Sequence, residues 1–136
     1  LSIPYMYISM MGEEGLRKAT QIAILNANYL KAHLNDYYTI KDVNENGFVG
    51  HEFIIDTTEF KKIGLTDVDI SKRLMDYSFH PPTMSWPRNS VLMFEPTESE
   101  SLKAIIFSYQ LDLTTPGKSP DIESSLSLIL DNPNLR

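Results

Sequence analysis

Residues 79–87, Phe-His-Pro-Pro-Thr-Met-Ser-Trp-Pro, carry an unusual concentration of side chains that could contact a ligand. They include the imidazole of His80 and the hydroxyls of Thr83 and Ser85. Three prolines exclude a regular helix or a central strand, because each removes a backbone donor, fixes φ and extends its predecessor. We interpret the stretch as a stiff loop that holds these side chains at fixed positions. The alternative is a loop that only packs its aromatic residues onto the domain.

A second motif follows shortly, at residues 92–100, and reads Leu-Met-Phe-Glu-Pro-Thr-Glu-Ser-Glu. Thr97 and Glu100 have the spacing of a capping box, in which the threonine hydroxyl and the glutamate each satisfy a free amide of the first helical turn. We therefore assign Glu98 and Glu100 to the start of a helix rather than to catalysis.

The three histidines, His33, His51 and His80, fall on a predicted helix, a strand start and the proline-rich loop. The pair His51-Glu52 suggests a metal or acid–base site, but neighbouring residues on a strand point to opposite faces. A structural role for His51 is therefore favoured.

The sequence contains no phosphate-binding glycine loop, no nucleophile elbow and no metal-spaced histidine cluster, so this chain alone does not supply a complete active site.

Composition narrows the classes of function. The chain has 136 residues, enough for one domain, and a formal net charge of −6, which gives no basic surface for nucleic acid. No apolar run approaches the ~20 residues that span a bilayer. The absence of cysteine excludes disulfides, thiolate zinc sites and a cysteine nucleophile.

The elements that must position these residues follow from apolar periodicity and capping signals. Helices are predicted at residues 3–11 (buried, and ending at Gly12), 16–34, 66–77 and 101–109, and strands at 37–40, 52–56 and 91–94. Asn44–Gly47 is a hairpin signal, and Phe60 is expected to anchor the connector at 57–65. The predicted fold class is α+β, with about three antiparallel strands and helices on one face.

The two ends of the chain differ from its middle. The apolar stretch at residues 3–11 needs a partner surface, and we interpret the chain as part of something larger. After residue 113 the sequence becomes rich in serine and proline. We therefore expect a domain at 1–113 and a weakly docked or disordered tail at 114–136.

Several long motifs resemble one enzyme family. They are Tyr-Ile-Ser-Met-Met-Gly-Glu-Glu-Gly-Leu (7–16), Ala-Ile-Leu-Asn-Ala-Asn-Tyr (23–29), Gly-His-Glu-Phe-Ile-Ile-Asp (50–56), Lys-Arg-Leu-Met-Asp-Tyr (72–77) and the two motifs at 79–87 and 92–100. Together they resemble the C-terminal part of the glycine decarboxylase P-protein of the glycine cleavage system. The resemblance covers residues 1–102 nearly without gaps.

The resemblance implies the small C-terminal domain of a pyridoxal-phosphate enzyme with the aspartate-aminotransferase architecture (fold type I). Such enzymes release CO₂ from glycine and pass the aminomethyl group to the lipoyl arm of the H-protein, in mitochondria where the organism is a eukaryote. The cofactor is the electron sink of this chemistry. The implied partners are the large domain, a second P-protein subunit and the H-protein, and the implied pocket residues are His80, Thr83 and Ser85.

The family's cofactor lysine lies in an upstream His-Lys motif that has no match here. None of the lysines inherits that role: Lys18, Lys31, Lys41, Lys61, Lys62, Lys72, Lys103 and Lys118. Two departures stand out. Pro81 replaces an alanine of the family motif, and residues 88–91, Arg-Asn-Ser-Val, replace a segment that contains glycine, which puts the local turn in doubt.

Three hypotheses follow. The first is a piece of a glycine decarboxylase that needs the large domain for catalysis. The second is a non-enzymatic α+β module that binds a partner through the apolar residues 3–11. The third is an unstable fragment or an inactive truncated copy; instability would follow because the first helix lacks its covering surface and exposed apolar patches favour aggregation.

Overall fold

The computed structural model describes residues 1–103 and Ile105. The elements are α1 (Ser2–Leu34), β1 (Thr39–Lys41), β2 (Phe53–Asp56), α2 (Thr58–Lys61), α3 (Asp67–Asp76), β3 (Thr83–Met84) and β4 (Val91–Phe94). A four-stranded antiparallel sheet with helices on it confirms the α+β class. The predicted boundary at residue 113 and the tail at 114–136 lie outside the described residues.

Helix α1 is broken by a kink at Gly12, as the sequence predicts. Gly12 has φ 61° and ψ −178°, a combination that only glycine adopts without strain. The prediction that residues 3–11 are buried is wrong for this chain, because Ile3, Met6 and Met10 are exposed. No described element covers this half of the helix.

The sheet has the order β1-β2-β4-β3, so it contains one strand more than expected. The extra strand is β3, which pairs Thr83 with Met93 and Met84 with Leu92. It lies within the proline-rich loop. The prolines exclude only a central strand, and β3 is a two-residue strand at the edge, where missing donors are tolerated.

Strands β2 and β4 form the centre of the sheet, in agreement with their unbroken apolar sequences. Phe53 lies opposite Phe94 and their rings stack with centroids 5.4 Å apart. Ile55 lies opposite Leu92 on the same face. This face meets both long helices, and Phe53 is only 2% exposed.

Helix α1 covers this face with its C-terminal half. Ala27, Leu30 and Leu34 are buried against Phe53 and Ile55. The small side chain of Ala27, which is 0% exposed, lets the helix approach the sheet closely. The alanine-rich apolar stripe in the sequence thus predicts the packed face of α1 correctly.

Helix α3 covers the rest of the face, where Ile70 and Leu74 pack against Leu92. Its start is a capping box: the Thr66 hydroxyl accepts a hydrogen bond from the Asp69 amide, and the Asp69 carboxylate accepts one from the Thr66 amide. Both the helix and its cap are as predicted. Phe60, from the short helix α2, packs against this cluster and is the predicted anchor.

The loop between β1 and β2 is fixed by Asn28 of α1. The Asn28 side chain accepts a hydrogen bond from the Val49 amide (2.9 Å) and donates one to the Val49 carbonyl (2.8 Å). The predicted turn at Asn44 is present, because the Gly47 amide donates to the Asn44 carbonyl and Gly47 has φ 78°. The turn lies within an eleven-residue connection between Lys41 and Phe53 rather than closing a tight hairpin.

The predicted capping box at Thr97 is wrong. The Thr97 hydroxyl contacts the Ser99 hydroxyl, and the Glu100 amide donates to the Thr97 carbonyl in a turn. Helical geometry begins only at Leu102. The end of the predicted helix at residue 109 lies outside the described residues.

Candidate functional site

A cleft of about 320 Å³ opens between the proline-rich loop, the end of β4 and the two long helices. Two segments form most of its wall, residues 79–83 and residues 93–97. Leu30, Leu74, Glu100 and Ile105 complete the lining. The volume falls within the range of small-molecule sites, and the wall is mainly apolar with a few polar groups.

His80 and Thr83, two of the three predicted pocket residues, line this cleft. Pro81 and Pro82 separate them and hold the chain extended until Thr83 pairs with Met93 of β4. The His80 side chain is exposed and has no hydrogen-bond partner among the described residues. The imidazole is therefore available to a ligand at the mouth of the cleft.

Ser85, the third predicted residue, does not line the cleft. Its hydroxyl donates a hydrogen bond of 2.7 Å to the Asp67 carboxylate at the start of α3. Its amide donates to the Val91 carbonyl, and its φ is 54°. The structure thus engages Ser85 in holding the end of β3 against α3.

The opposite wall of the cleft is acidic. Glu95, Thr97 and Glu100 line it. Among the described residues, no lysine or arginine lines the cleft. The electrostatic potential of the lining therefore favours a cationic or neutral ligand group over a phosphate.

Helix α1 fixes the acidic loop from two sides of its kink. Asn26 donates to the Thr97 carbonyl (2.9 Å), and the Tyr7 hydroxyl donates to the Glu98 carboxylate (2.8 Å). This hydrogen bond raises the pKa of Tyr7 and lowers the pKa of Glu98. The sequence analysis did not predict these long-range contacts. They hold the loop at residues 97–98, for which the local signal predicted a helix cap.

The segment at 88–91 takes a turn of the kind that glycine favours. Ser90 has φ 63°, in the left-handed region, and its carbonyl accepts a hydrogen bond from the Thr57 amide (2.8 Å). Arg88 forms an ion pair with Asp42 across the neighbouring loop. The turn is formed without glycine, with strain at Ser90.

His51, for which the sequence favours a structural role, lies at the surface beside two glutamates. Its side chain is 59% exposed, and its Nε2 atom lies 3.9 Å from Glu52 Oε2 and 3.8 Å from Glu95 Oε1. The expectation that His51 and Glu52 point to opposite faces fails because both residues precede β2 rather than lying in it. The sequence does not indicate that Glu95 lies near His51 and Glu52, because it is the pairing of β2 with β4 that brings these residues together.

In the part of the chain that the structure describes, no helix has the combination of length and apolarity that crossing a bilayer requires.

Comparison with known proteins gives one consistent result. A family model described as "Glycine dehydrogenase, C-terminal domain" matches residues 19–109. The chain is 57% identical over 102 residues to the mitochondrial glycine dehydrogenase (decarboxylating) of Pisum sativum, covering 74% of this chain and 10% of that protein.

Relatives from other kingdoms agree. The mitochondrial glycine dehydrogenase (decarboxylating) of Dictyostelium discoideum is 52% identical over 113 residues, covering 82% of this chain and 11% of that protein. The glycine dehydrogenase (decarboxylating) of Bordetella avium is 55% identical over 103 residues, covering 75% of this chain and 11% of that protein. The chain spans about a tenth of the length of the curated relatives that it matches.

Proposed function

The chain belongs to the family of glycine dehydrogenase C-terminal domains, and we propose that it forms one wall of the active-site cleft in a glycine decarboxylase. The observation that carries the proposal is the composition of the cleft. Its wall comes mostly from residues 79–83 and 93–97, which lie within the range that the family model matches. The family match therefore includes the residues that form this cleft.

The proposed reaction releases CO₂ from glycine and transfers the remaining aminomethyl group to the lipoyl arm of an H-protein. Pyridoxal phosphate supplies the electron sink for this decarboxylation when it is bound. In a eukaryote we place the protein in mitochondria, as the names of the relatives from Pisum sativum and Dictyostelium discoideum state for those proteins.

The residues present do not fit pyridoxal phosphate on their own. No lysine or arginine lines the described part of the cleft, so nothing there pairs with the phosphate or attaches the aldehyde. Two of the candidate lysines have other contacts: Lys31 donates to the Gly47 carbonyl and Lys41 pairs with Asp56. We therefore assign the anchoring of the cofactor to the remainder of the protein, and derive no chemical step through the cofactor here.

The contribution of this chain is to shape and polarise the opposite wall. His80 and Thr83 offer a proton-exchanging imidazole and a hydroxyl to a ligand in the cleft. The Glu100 carboxylate favours the amino group of an amino-acid substrate over its carboxylate. Ser85 stays a predicted pocket residue, and its hydrogen bond to Asp67 supports a positioning role for it.

The exposed half of α1 supports the proposal that this chain docks onto the remainder of the enzyme or onto a second subunit. Six large apolar side chains on it are exposed: Ile3, Tyr5, Met6, Tyr7, Ile8 and Met10. A patch of this kind marks an interaction surface in a folded protein. The same observation favours the second candidate function, a non-catalytic module that binds a partner protein through this helix.

A chimera tests the proposal. Residues 1–102 of this chain replace the matching segment of the Bordetella avium relative, and the release of CO₂ from glycine is measured. The proposal predicts an active chimera. His80→Ala is expected to lower turnover by about 10²-fold or more, the scale of a lost proton-transfer group, and Thr83→Val is expected to lower it less.

His33→Ala is the matched control, since it removes another exposed histidine, on α1 and away from the cleft lining. It should leave turnover unchanged. A chimera that folds and binds pyridoxal phosphate but releases no CO₂ would contradict the proposal and favour the non-catalytic module or an inactive copy. Equal turnover of the His80→Ala and His33→Ala chimeras would remove His80 from the site.

A further inference from the structure

We propose that His51, Glu52 and Glu95 bind a divalent transition-metal ion at the end of the central strands. The proposal does not depend on the proposed enzymatic function. The three side chains combine one imidazole nitrogen with two carboxylates, a ligand set that suits Zn²⁺ and its neighbours in the first transition row.

The sheet brings these residues together. Glu52 directly precedes β2 and Glu95 directly follows β4, and these strands run antiparallel with Phe53 opposite Phe94. The two glutamates are therefore the next residues beyond the last strand pair. The stacked rings of Phe53 and Phe94 hold this pair rigid beneath them.

The distances suit a metal ion. His51 Nε2 lies 3.9 Å from Glu52 Oε2 and 3.8 Å from Glu95 Oε1, and the three atoms all lie within 4.8 Å of one another. Ligand atoms around a tetrahedral Zn²⁺ are separated by about 3.4 Å, given bonds of about 2.1 Å. The two separations from His51 thus exceed this value by about half an ångström, and the two carboxylate oxygens lie at most 4.8 Å apart. The three side chains are 41% to 59% exposed, which leaves them room to close around an ion.

Electrostatics favours the same conclusion. Two like charges at neighbouring cross-strand positions repel each other. A divalent cation neutralises both carboxylates and binds the imidazole as its third ligand. Water completes the fourth position of such a three-ligand site.

Titration of the metal-free 136-residue chain with ZnCl₂, followed by calorimetry, tests the proposal. We expect one Zn²⁺ per chain with a dissociation constant on the order of micromolar, about −8 kcal/mol. An equal concentration of Mg²⁺ should not displace it, because Mg²⁺ prefers all-oxygen sites. His51→Ala should weaken binding at least tenfold. Replacing a residue that only hydrogen-bonds to a metal ligand already lowers metal affinity by about tenfold or more.

Two matched variants give the comparison. His33→Ala removes an exposed histidine elsewhere, and Glu45→Gln removes a glutamate from the β1–β2 loop as the counterpart of Glu95→Gln. Both controls should bind Zn²⁺ as the unaltered chain does, whereas Glu95→Gln should bind it more weakly. The absence of saturable binding, equal binding by His51→Ala and His33→Ala, or displacement by Mg²⁺ would each overturn the proposal. Circular dichroism of each variant verifies that the fold is retained.

Discussion

Asn28 shows how one side chain can hold a loop that has no regular structure. Its amide bonds to both backbone groups of Val49, as a neighbouring strand would do. Replacing it by alanine leaves a partly buried donor and acceptor without a protein partner, which typically costs 1–3 kcal/mol. We predict that Asn28→Ala lowers the free energy of unfolding by about 2 kcal/mol in urea denaturation.

Gln21→Ala is the control for this prediction, because Gln21 is exposed on the same helix. It should change the free energy of unfolding by less than about 0.5 kcal/mol. If both substitutions have the same small effect, the contact of Asn28 with Val49 does not stabilise the fold.

Ser90 carries strain that glycine would remove. Its φ of 63° costs a residue with a Cβ atom about 1–2 kcal/mol, part of which is offset by the greater freedom of glycine in the unfolded chain. We predict that Ser90→Gly stabilises the chain by about 0.5–1 kcal/mol in thermal or urea unfolding. Asn89→Gly, at a neighbouring position without positive φ, should give no gain, and an equal gain there would contradict the explanation.

At the scale of elements, the capping box of α3 links stability to pH. Hydrogen bonds from the Thr66 hydroxyl and amide lower the pKa of Asp69 below its ordinary value of 3.8. A carboxyl whose pKa is lower in the folded state stabilises the fold above its unfolded pKa, and this contribution is lost as pH falls through the folded pKa.

We therefore predict that Asp69→Asn lowers the melting temperature at neutral pH, and that the difference from the unaltered chain shrinks as the pH falls below about 4. Melting curves between about pH 7 and pH 2 measure this. Asp36→Asn, at an exposed position after α1, serves as the control and should leave the two curves parallel. A constant difference for Asp69→Asn across that range would show that protonation of this carboxyl is not involved.

The kink in α1 depends on one glycine. Alanine cannot adopt φ 61° with ψ −178° without strain of about 1–3 kcal/mol, although there is open space for its Cβ atom. We predict that Gly12→Ala straightens the helix and separates Tyr7 from Glu98. The pKa of Tyr7, which the hydrogen bond raises, should then return toward its ordinary value of 10.0.

A pH titration of the Tyr7 ring signal by NMR measures this change. Gly50→Ala is the control, because Gly50 lacks positive φ and also has open space around it. The Tyr7 titration should be unaffected by Gly50→Ala. An unchanged titration in Gly12→Ala would mean that the kink does not bring the tyrosine to the acidic loop.

The elements that sequence reasoning predicted correctly depend on local signals. The apolar runs of β2 and β4, the apolar stripe of α1 and the cap at Thr66 each act within one segment. The errors arise where contacts between residues that are distant in sequence determine the local structure. No capping box forms at Thr97, where Tyr7 and Asn26 hydrogen-bond to the loop instead. Strand β3, which was not predicted, forms by pairing with β4.

The candidate site divides in the same way. The stiffness of the proline-rich loop predicts that its side chains are held in place, and His80 and Thr83 do line a cleft. The hydrogen bond from Ser85 to Asp67 could not be predicted, since it joins residues 18 positions apart. The proximity of His51 to Glu95 likewise could not be predicted, because it depends on the register between β2 and β4.

At the scale of the whole molecule, the chain combines an ordered core with an uncovered apolar helix and a cleft that lacks cationic groups in its described lining. Both features agree with a domain that completes a larger enzyme. The relatives are about nine times as long as the matched segment.

The proposed function requires that this chain shapes a cofactor site without anchoring the cofactor. The most direct test treats the isolated chain with pyridoxal phosphate, reduces it with borohydride and locates any labelled lysine by peptide mass spectrometry. We predict weak labelling spread over several exposed lysines, with no saturation at one equivalent. Saturable attachment to a single lysine of this chain would contradict the claim.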